Sequence, residues 1–252
     1  MHTFDKESLA KTGYPDGTAF RSHRPFLEYA VDFLYQKNGG KQLNILECGT
    51  GDGSGEYFSE ITKQGKAKVW GIEYHNVPPA CWYDKMKEKY ENENYKITLE
   101  NQGIFVMGTP YHPRLDPHYD IIFVDTSGYE NRVNWVKYAA KGRCKIVIVH
   151  DSEHMHRFKP WFLEWITKNF NHVYDSWPTI NPGTIFASDI DLDCNFQFEK
   201  RQNDMQHIVV TEEIDPATCG FPPNEHKDNE PEEFPDDGKK VKIGEKTYSI
   251  VF

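Results

Sequence analysis

Two apolar runs in this 252-residue chain end in acids that could act on a substrate. Ile121-Ile122-Phe123-Val124 closes on Asp125, and Ile146-Val147-Ile148-Val149 closes on His150-Asp151. If both runs are neighbouring strands of an open α/β sheet, both carboxylates lie at the carboxyl ends of the strands, where such sheets bind ligands. Asp125 and Asp151 could then share a divalent cation of the magnesium or manganese type, which would hold a hydroxyl and lower its pKa. Without an ion, Asp151 or His150 could take the hydroxyl proton directly. Each residue also has a structural reading: Asp125 as a helix cap, and His150 as a buried ring satisfied by backbone. His150, His154 and His156 could bind zinc, although their spacing supplies no fixed partner set.

A second cluster precedes this one. Ile45-Leu46-Glu47-Cys48-Gly49-Thr50-Gly51-Asp52-Gly53-Ser54-Gly55 runs from an apolar stretch into an amphipathic segment with Tyr57, Phe58 and Ile61. It reads as strand, glycine turn and helix start, in which backbone amides and the helix N-terminus can approach an anionic group. Glu47, Gly49, Thr50, Gly51 and Gly53 are the candidate cofactor contacts here. The dinucleotide fingerprint places glycine where Ser54 stands and an apolar residue where Glu47 stands. An acid before the first glycine suits a ligand that carries a cation, as S-adenosylmethionine does. The next apolar run, Val69-Trp70-Gly71-Ile72, ends in Glu73, whose carboxylate can accept ribose hydroxyls. Gln102, after the third strand, could bind the adenine amine or belong to a surface turn.

The glycine turn with its distal acid resembles motif I and post-motif I of the class I S-adenosylmethionine-dependent methyltransferases. That resemblance spans roughly residues 22–190. It implies a seven-stranded sheet whose last two strands pair as an antiparallel hairpin at the edge, and it places Asp125 beside the cofactor. Val124-Asp125 with Gly128-Tyr129 and Arg132, together with Val149-His150-Asp151, is also similar to the plant glucuronoxylan methyltransferases. This narrower likeness implies a sugar or glycan acceptor, with metal-binding roles for Asp125 and Asp151.

The elements that must position these residues follow from periodicity. Strands are predicted at 43–47, 69–73, 96–99, 120–124, 145–149, 172–176 and 184–188, with helices around 54–63, 79–90, 130–141 and 157–169. Another helix opens at Pro25, where Phe26, Ala30, Phe33 and Leu34 recur at helical spacing. The alternation predicts a Rossmann-like, doubly wound α/β sheet over residues 1–190. Residues 191–252 form an acidic, proline-rich extension: segment 212–238 cannot build a core, and the alternation from Val241 to Val251 predicts a terminal hairpin. That hairpin could add to a sheet edge of its own chain or of a second copy, making a homodimer. Ser22-His23-Arg24 could close over the cofactor or cap the first helix.

Composition narrows the partners. A net charge of −10 with no Lys/Arg block argues against nucleic acid and favours a small-molecule or glycan substrate. Five scattered cysteines without a C-x-x-C pair suggest neither a disulfide framework nor a structural zinc site. With no signal-like or membrane-spanning apolar stretch, a cytoplasmic protein without membrane attachment is expected. A nicotinamide-dependent oxidoreductase and a non-catalytic protein that keeps a cofactor fold remain alternatives, because fold alone does not fix function. Asp189-Ile190-Asp191-Leu192-Asp193 could hold a nucleotide-sugar metal but reads more simply as a solvated acidic loop.

Overall fold

The computed structural model describes residues 2–4, 23–74, 81–99, 119–126, 129–140, 142–177, 182–196, 240–243 and 246–249. The chain divides into two compact units, residues 1–105 with 111–201, and residues 106–110 with 202–252.

In the first unit, β2 (Leu43–Cys48), β3 (Ala67–Glu73), β4 (Tyr95–Leu99), β5 (Tyr119–Val124), β6 (Cys144–His150), β7 (His172–Asp175) and β8 (Thr184–Ser188) form one sheet in the order β4-β3-β2-β5-β6-β8-β7. The pairs among β2 to β6 are parallel, and β8 runs antiparallel to both neighbours. A dinucleotide sheet continues outward with parallel strands. The antiparallel strand inserted before the edge instead gives the strand order of the class I methyltransferase fold, and the expected edge hairpin is present as β7 and β8.

Helices cover the sheet because its central strands are apolar on both faces: all six residues of β5 are buried, as parallel strands require. The helix α1 (Arg24–Lys37) starts with Pro25 in its first turn, and Phe26, Leu27, Ala30, Val31 and Leu34 form its buried stripe. After the glycine turn, α2 (Asp52–Lys63) buries Tyr57, Phe58 and Ile61. The remaining helices are α3 (Trp82–Tyr90), α4 (Tyr129–Ala139), α5 (Ser152–Phe158) and α6 (Pro160–Asn169). The single helix expected over 157–169 is therefore two. Pro160 disfavours helical backbone at the preceding residue, and Lys159 leaves the helical region with φ −138° and ψ 56°. A short parallel pair, β1 (His2–Phe4) with β9 (Cys194–Phe196), was not anticipated.

In the second unit, β10 (Lys240–Ile243) and β11 (Lys246–Ser249) form the predicted hairpin as a two-stranded antiparallel sheet. The proline-rich segment 212–238 lies outside the described residues. No described helix is long and apolar enough to cross a membrane.

Candidate functional site

Strand register assembles the site. Cys48 pairs with Ile72 of β3 and Val124 of β5, and Val124 pairs with Val149 of β6. The residues one step further, Gly49, Glu73, Asp125 and His150, therefore end four neighbouring strands in one row, followed by Asp151. Sequence periodicity places these residues at strand ends, and pairing places the ends together.

The glycine turn is held from beneath. Gly49 takes a left-handed conformation, φ +86°, and lies against the Asp125–Thr126 backbone, where a Cβ would come within 2.4 Å of the Asp125 carbonyl oxygen. Glu73 fixes the next residue: its Oε2 accepts from the Thr50 amide at 2.9 Å and the Thr50 hydroxyl at 2.8 Å, while its Oε1 accepts from the Tyr74 amide. Trp82 donates its indole N–H to the Thr50 carbonyl at 2.7 Å. Gly51 is extended, with φ −141°, and caps α2 without a side-chain bond. A Cβ there would meet only the Ser54 hydroxyl, at 3.7 Å. An uncapped helix start beside an open glycine fits a carboxylate such as the one S-adenosylmethionine carries. Gly53 lies buried in the first turn of α2. Gln102 lies outside the described residues.

Glu47 does not face a ligand cation as expected. It is fully buried, its Oε1 accepts from the Ser54 hydroxyl at 2.5 Å, and its Oε2 accepts from the Tyr95 hydroxyl. The two departures from the dinucleotide pattern, an acid at 47 and serine at 54, are thus partners in one hydrogen bond. Burial pushes the Glu47 carboxyl up to about 8, against the pull of these hydroxyls, so at neutral pH it is mostly a neutral acid.

A testable consequence follows from the folded carboxyl keeping its proton to about pH 8 while the unfolded chain gives it up near 4.5. Between these values the unfolded state binds fewer protons, so this residue makes stability fall as pH rises. Glu47→Gln, neutral throughout, should remove that part of the decline and gain on the natural protein from pH 5 to pH 8. Calorimetric melting of both at several pH values is the check, and parallel curves would contradict a protonated Glu47.

The second cluster is organised by a residue that chemistry-based reading of the sequence left out of the site. Arg132 of α4 is buried; it donates Nε–H to the Thr126 carbonyl at 2.8 Å, one terminal nitrogen to the His150 carbonyl, and the other to Asp125 Oδ1 at 3.2 Å and Asp151 Oδ2 at 2.9 Å. Its position in the first turn of the helix that follows Asp125 was the available signal. His150 Nδ1 lies 3.3 Å from both Asp125 Oδ1 and Asp151 Oδ1. The two acids do converge, but around a guanidinium and an imidazole, so the expected oxygen-ligated ion shared by Asp125 and Asp151 does not fit between them.

Burial alone would raise Asp125, yet His150 and Arg132 outweigh it and hold the carboxyl down at about 2. Burial works the other way on His150 and is outweighed by the two carboxylates, so its pKa is raised. Asp151 has left-handed backbone, φ +55°, which Asp and Asn adopt more readily than other side-chain-bearing residues. About a fifth of its side chain is exposed, whereas His150 is buried.

The zinc set His150, His154 and His156 does not assemble: His156 Nε2 pairs with Asp175 at 2.6 Å, and His154 packs on the Tyr129 ring. Asp189 and Asp191 line an exposed turn, with Asp191 3.6 Å from His172. His23 occupies the cap position of α1 but makes no side-chain capping bond; its ring is buried against Phe123 and His150.

No family model and no curated protein matches the sequence. Among solved structures it is similar to the N-terminal domain of human METTL16 in complex with SAH, 12% identical, with 66% of this chain and 69% of that one covered and a TM-score of 0.46. The SAH-bound Podospora anserina methyltransferase PaMTH1 is 16% identical over 74% of this chain and 86% of its own, with a TM-score of 0.43. A human methyltransferase 10 domain containing protein is 13% identical over 74% and 98%, with a TM-score of 0.44. Likenesses this distant leave function to be read from the site's own residues.

Proposed function

We propose that this protein transfers a methyl group from S-adenosylmethionine to a hydroxyl oxygen of a sugar, glycan or similar polyol. The observation that carries the reading is the single row formed by Gly49, Glu73, Asp125 and His150: a glycine turn for the cofactor beside a pair of acids for a hydroxyl. When bound, the cofactor supplies a methyl carbon already activated by its sulfonium. The protein's tasks are to align the acceptor oxygen, take its proton and exclude water.

The open face at Gly51 and the uncapped start of α2 receive the carboxylate of the methionine moiety. Glu73, buried beside Thr50, lies where the ribose hydroxyls would come. Asp151, about a fifth exposed like Asp125, orients the acceptor hydroxyl. Its carboxylate takes the proton as the oxygen–carbon bond forms and the carbon–sulfur bond breaks, the bonding pair remaining on sulfur. Arg132 and His150 hold that carboxylate in position from its buried side.

Titration calorimetry should show binding of S-adenosylmethionine and none of a nicotinamide dinucleotide; the reverse result would favour the oxidoreductase alternative. Asp151→Asn preserves the shape of the side chain and tolerates the left-handed backbone. It should therefore lower kcat on a hydroxyl acceptor by on the order of 100-fold or more while leaving cofactor affinity nearly unchanged. A panel of mono- and oligosaccharide acceptors, read by S-adenosylhomocysteine release, tests the substrate class. Turnover only on amine or nucleic-acid acceptors would overturn it.

A further inference from the structure

We propose that His23, Asp125 and His150 form a binding site for a divalent transition-metal ion of the zinc or cobalt type. One ligand atom from each lies within 4.8 Å of the others. They come from three elements, the start of α1, the end of β5 and the end of β6, so the sheet and its covering helix bring them together rather than a single loop. This set differs from the acid pair expected from sequence: Asp125 is kept, and the imidazoles of His23 and His150 take the place of Asp151.

His23 is the observation that points to a ligand. Its side chain is 2% exposed, and neither ring nitrogen has a hydrogen-bond partner among the described residues. A buried polar ring left this way usually marks the place of a water or an ion. The ring packs on Phe123 at 4.7 Å and meets the His150 ring nearly edge-on at 4.6 Å.

The donor set selects the ion. Magnesium and calcium take oxygen ligands, whereas two imidazoles with one carboxylate suit zinc, cobalt, nickel or ferrous iron and leave positions open for other ligands. Ligand atoms about 2.0–2.2 Å from zinc lie roughly 3.4 Å apart in a tetrahedron, so pairs of ligand atoms would close by up to about 1.4 Å from their present spread of 4.8 Å or less. Arg132 opposes a cation near Asp125, and Asp151 on the same guanidinium offsets it. An ion here would act as a Lewis acid toward a hydroxyl oxygen. Metal binding itself requires no methyl transfer, so its test stands apart from that of the proposed activity.

The full chain, treated with chelator and dialysed, would be titrated with cobalt(II) alone in a non-coordinating buffer. Binding at one ion per chain should give the visible absorption of a low-coordinate nitrogen and oxygen site, abolished by an equivalent of zinc and unaffected by millimolar magnesium. The melting temperature should rise with the ion. His23→Phe fills the same space with an apolar ring, so it should keep the metal-free melting temperature yet weaken cobalt affinity by on the order of 100-fold or more, beyond the loss seen for groups that merely support a ligand. His23→Asn should show the same loss should the phenylalanine variant fold poorly. His154→Ala, altering a histidine outside the set, should bind as the natural protein does. Absence of the visible bands, failure of zinc to displace cobalt, unchanged binding in both His23 variants, or a loss that follows His154 would each overturn the proposal.

Discussion

Gly49→Ala is expected to destabilise the protein by about 2–5 kcal/mol, as the combined effect of left-handed strain and overpacking. At φ +86° a side chain is strained before it meets anything. It then meets backbone: the Asp125 carbonyl oxygen at 2.4 Å, with the Asp125 carbonyl carbon and the Thr126 Cα at 2.6 Å. Neither side can yield easily, because Gly49 donates its amide to Ile72 and Asp125 donates its amide to Cys48, each at 2.8 Å. Gly51→Ala, on extended backbone with open space, should cost less than about 1 kcal/mol while impeding cofactor approach. Urea denaturation of the two variants is the measurement. Equal stability losses would show that the turn is not seated on the end of β5 as described. The sequence alone singles out neither glycine, since conformational demand depends on φ and crowding depends on which strand lies alongside.

What could be read from the residues and what could not divide along physical lines. Apolar runs bounded by turn chemistry locate all seven strands of the main sheet, and acids at their ends mark the site row, because a strand's register carries its last residue to a definite place. Contacts between residues distant in sequence were not legible. Glu47 was assigned a ligand cation because nothing local shows that Tyr95, 48 residues on, would reach its carboxylate. Arg132 was visible as part of a motif, but its function as a tie between β5 and β6 depends on the two strands being neighbours. The break at Lys159 is different: Pro160 was in plain view, and the steric rule for the preceding residue foretells it. His23 was read as closing over the cofactor or capping the first helix, and its burial against His150 follows from how α1 packs over β5 and β6.

Arg132→Met should show the other large effect, about 3–5 kcal/mol, the scale for stranding buried charges by removing one partner. Methionine keeps much of the volume and loses every donor, so the variant isolates the charge and hydrogen bonds from packing. Four acceptors lose a bond at once: the Thr126 and His150 carbonyls and the carboxylates of Asp125 and Asp151. The pH dependence separates the carboxylates from the carbonyls. Asp125 is held at about 2 in the folded protein against 3.8 for the free side chain, so its contribution is present above about pH 4 and is lost as pH falls toward 2. Without the guanidinium the carboxylate is less favoured and that pKa moves up. The stability gap between the natural protein and the variant should therefore be widest at neutral pH and narrow below pH 4, leaving a residue that reports the two carbonyls. Arg132→Lys restores a charge but not the planar fork that spans four acceptors, and should fall between the two. Denaturation curves at pH 7 and pH 3 measure all of this. A gap that stays constant with pH would mean that the guanidinium holds the strand ends through their carbonyls alone, and that the two acids are free to bind something else.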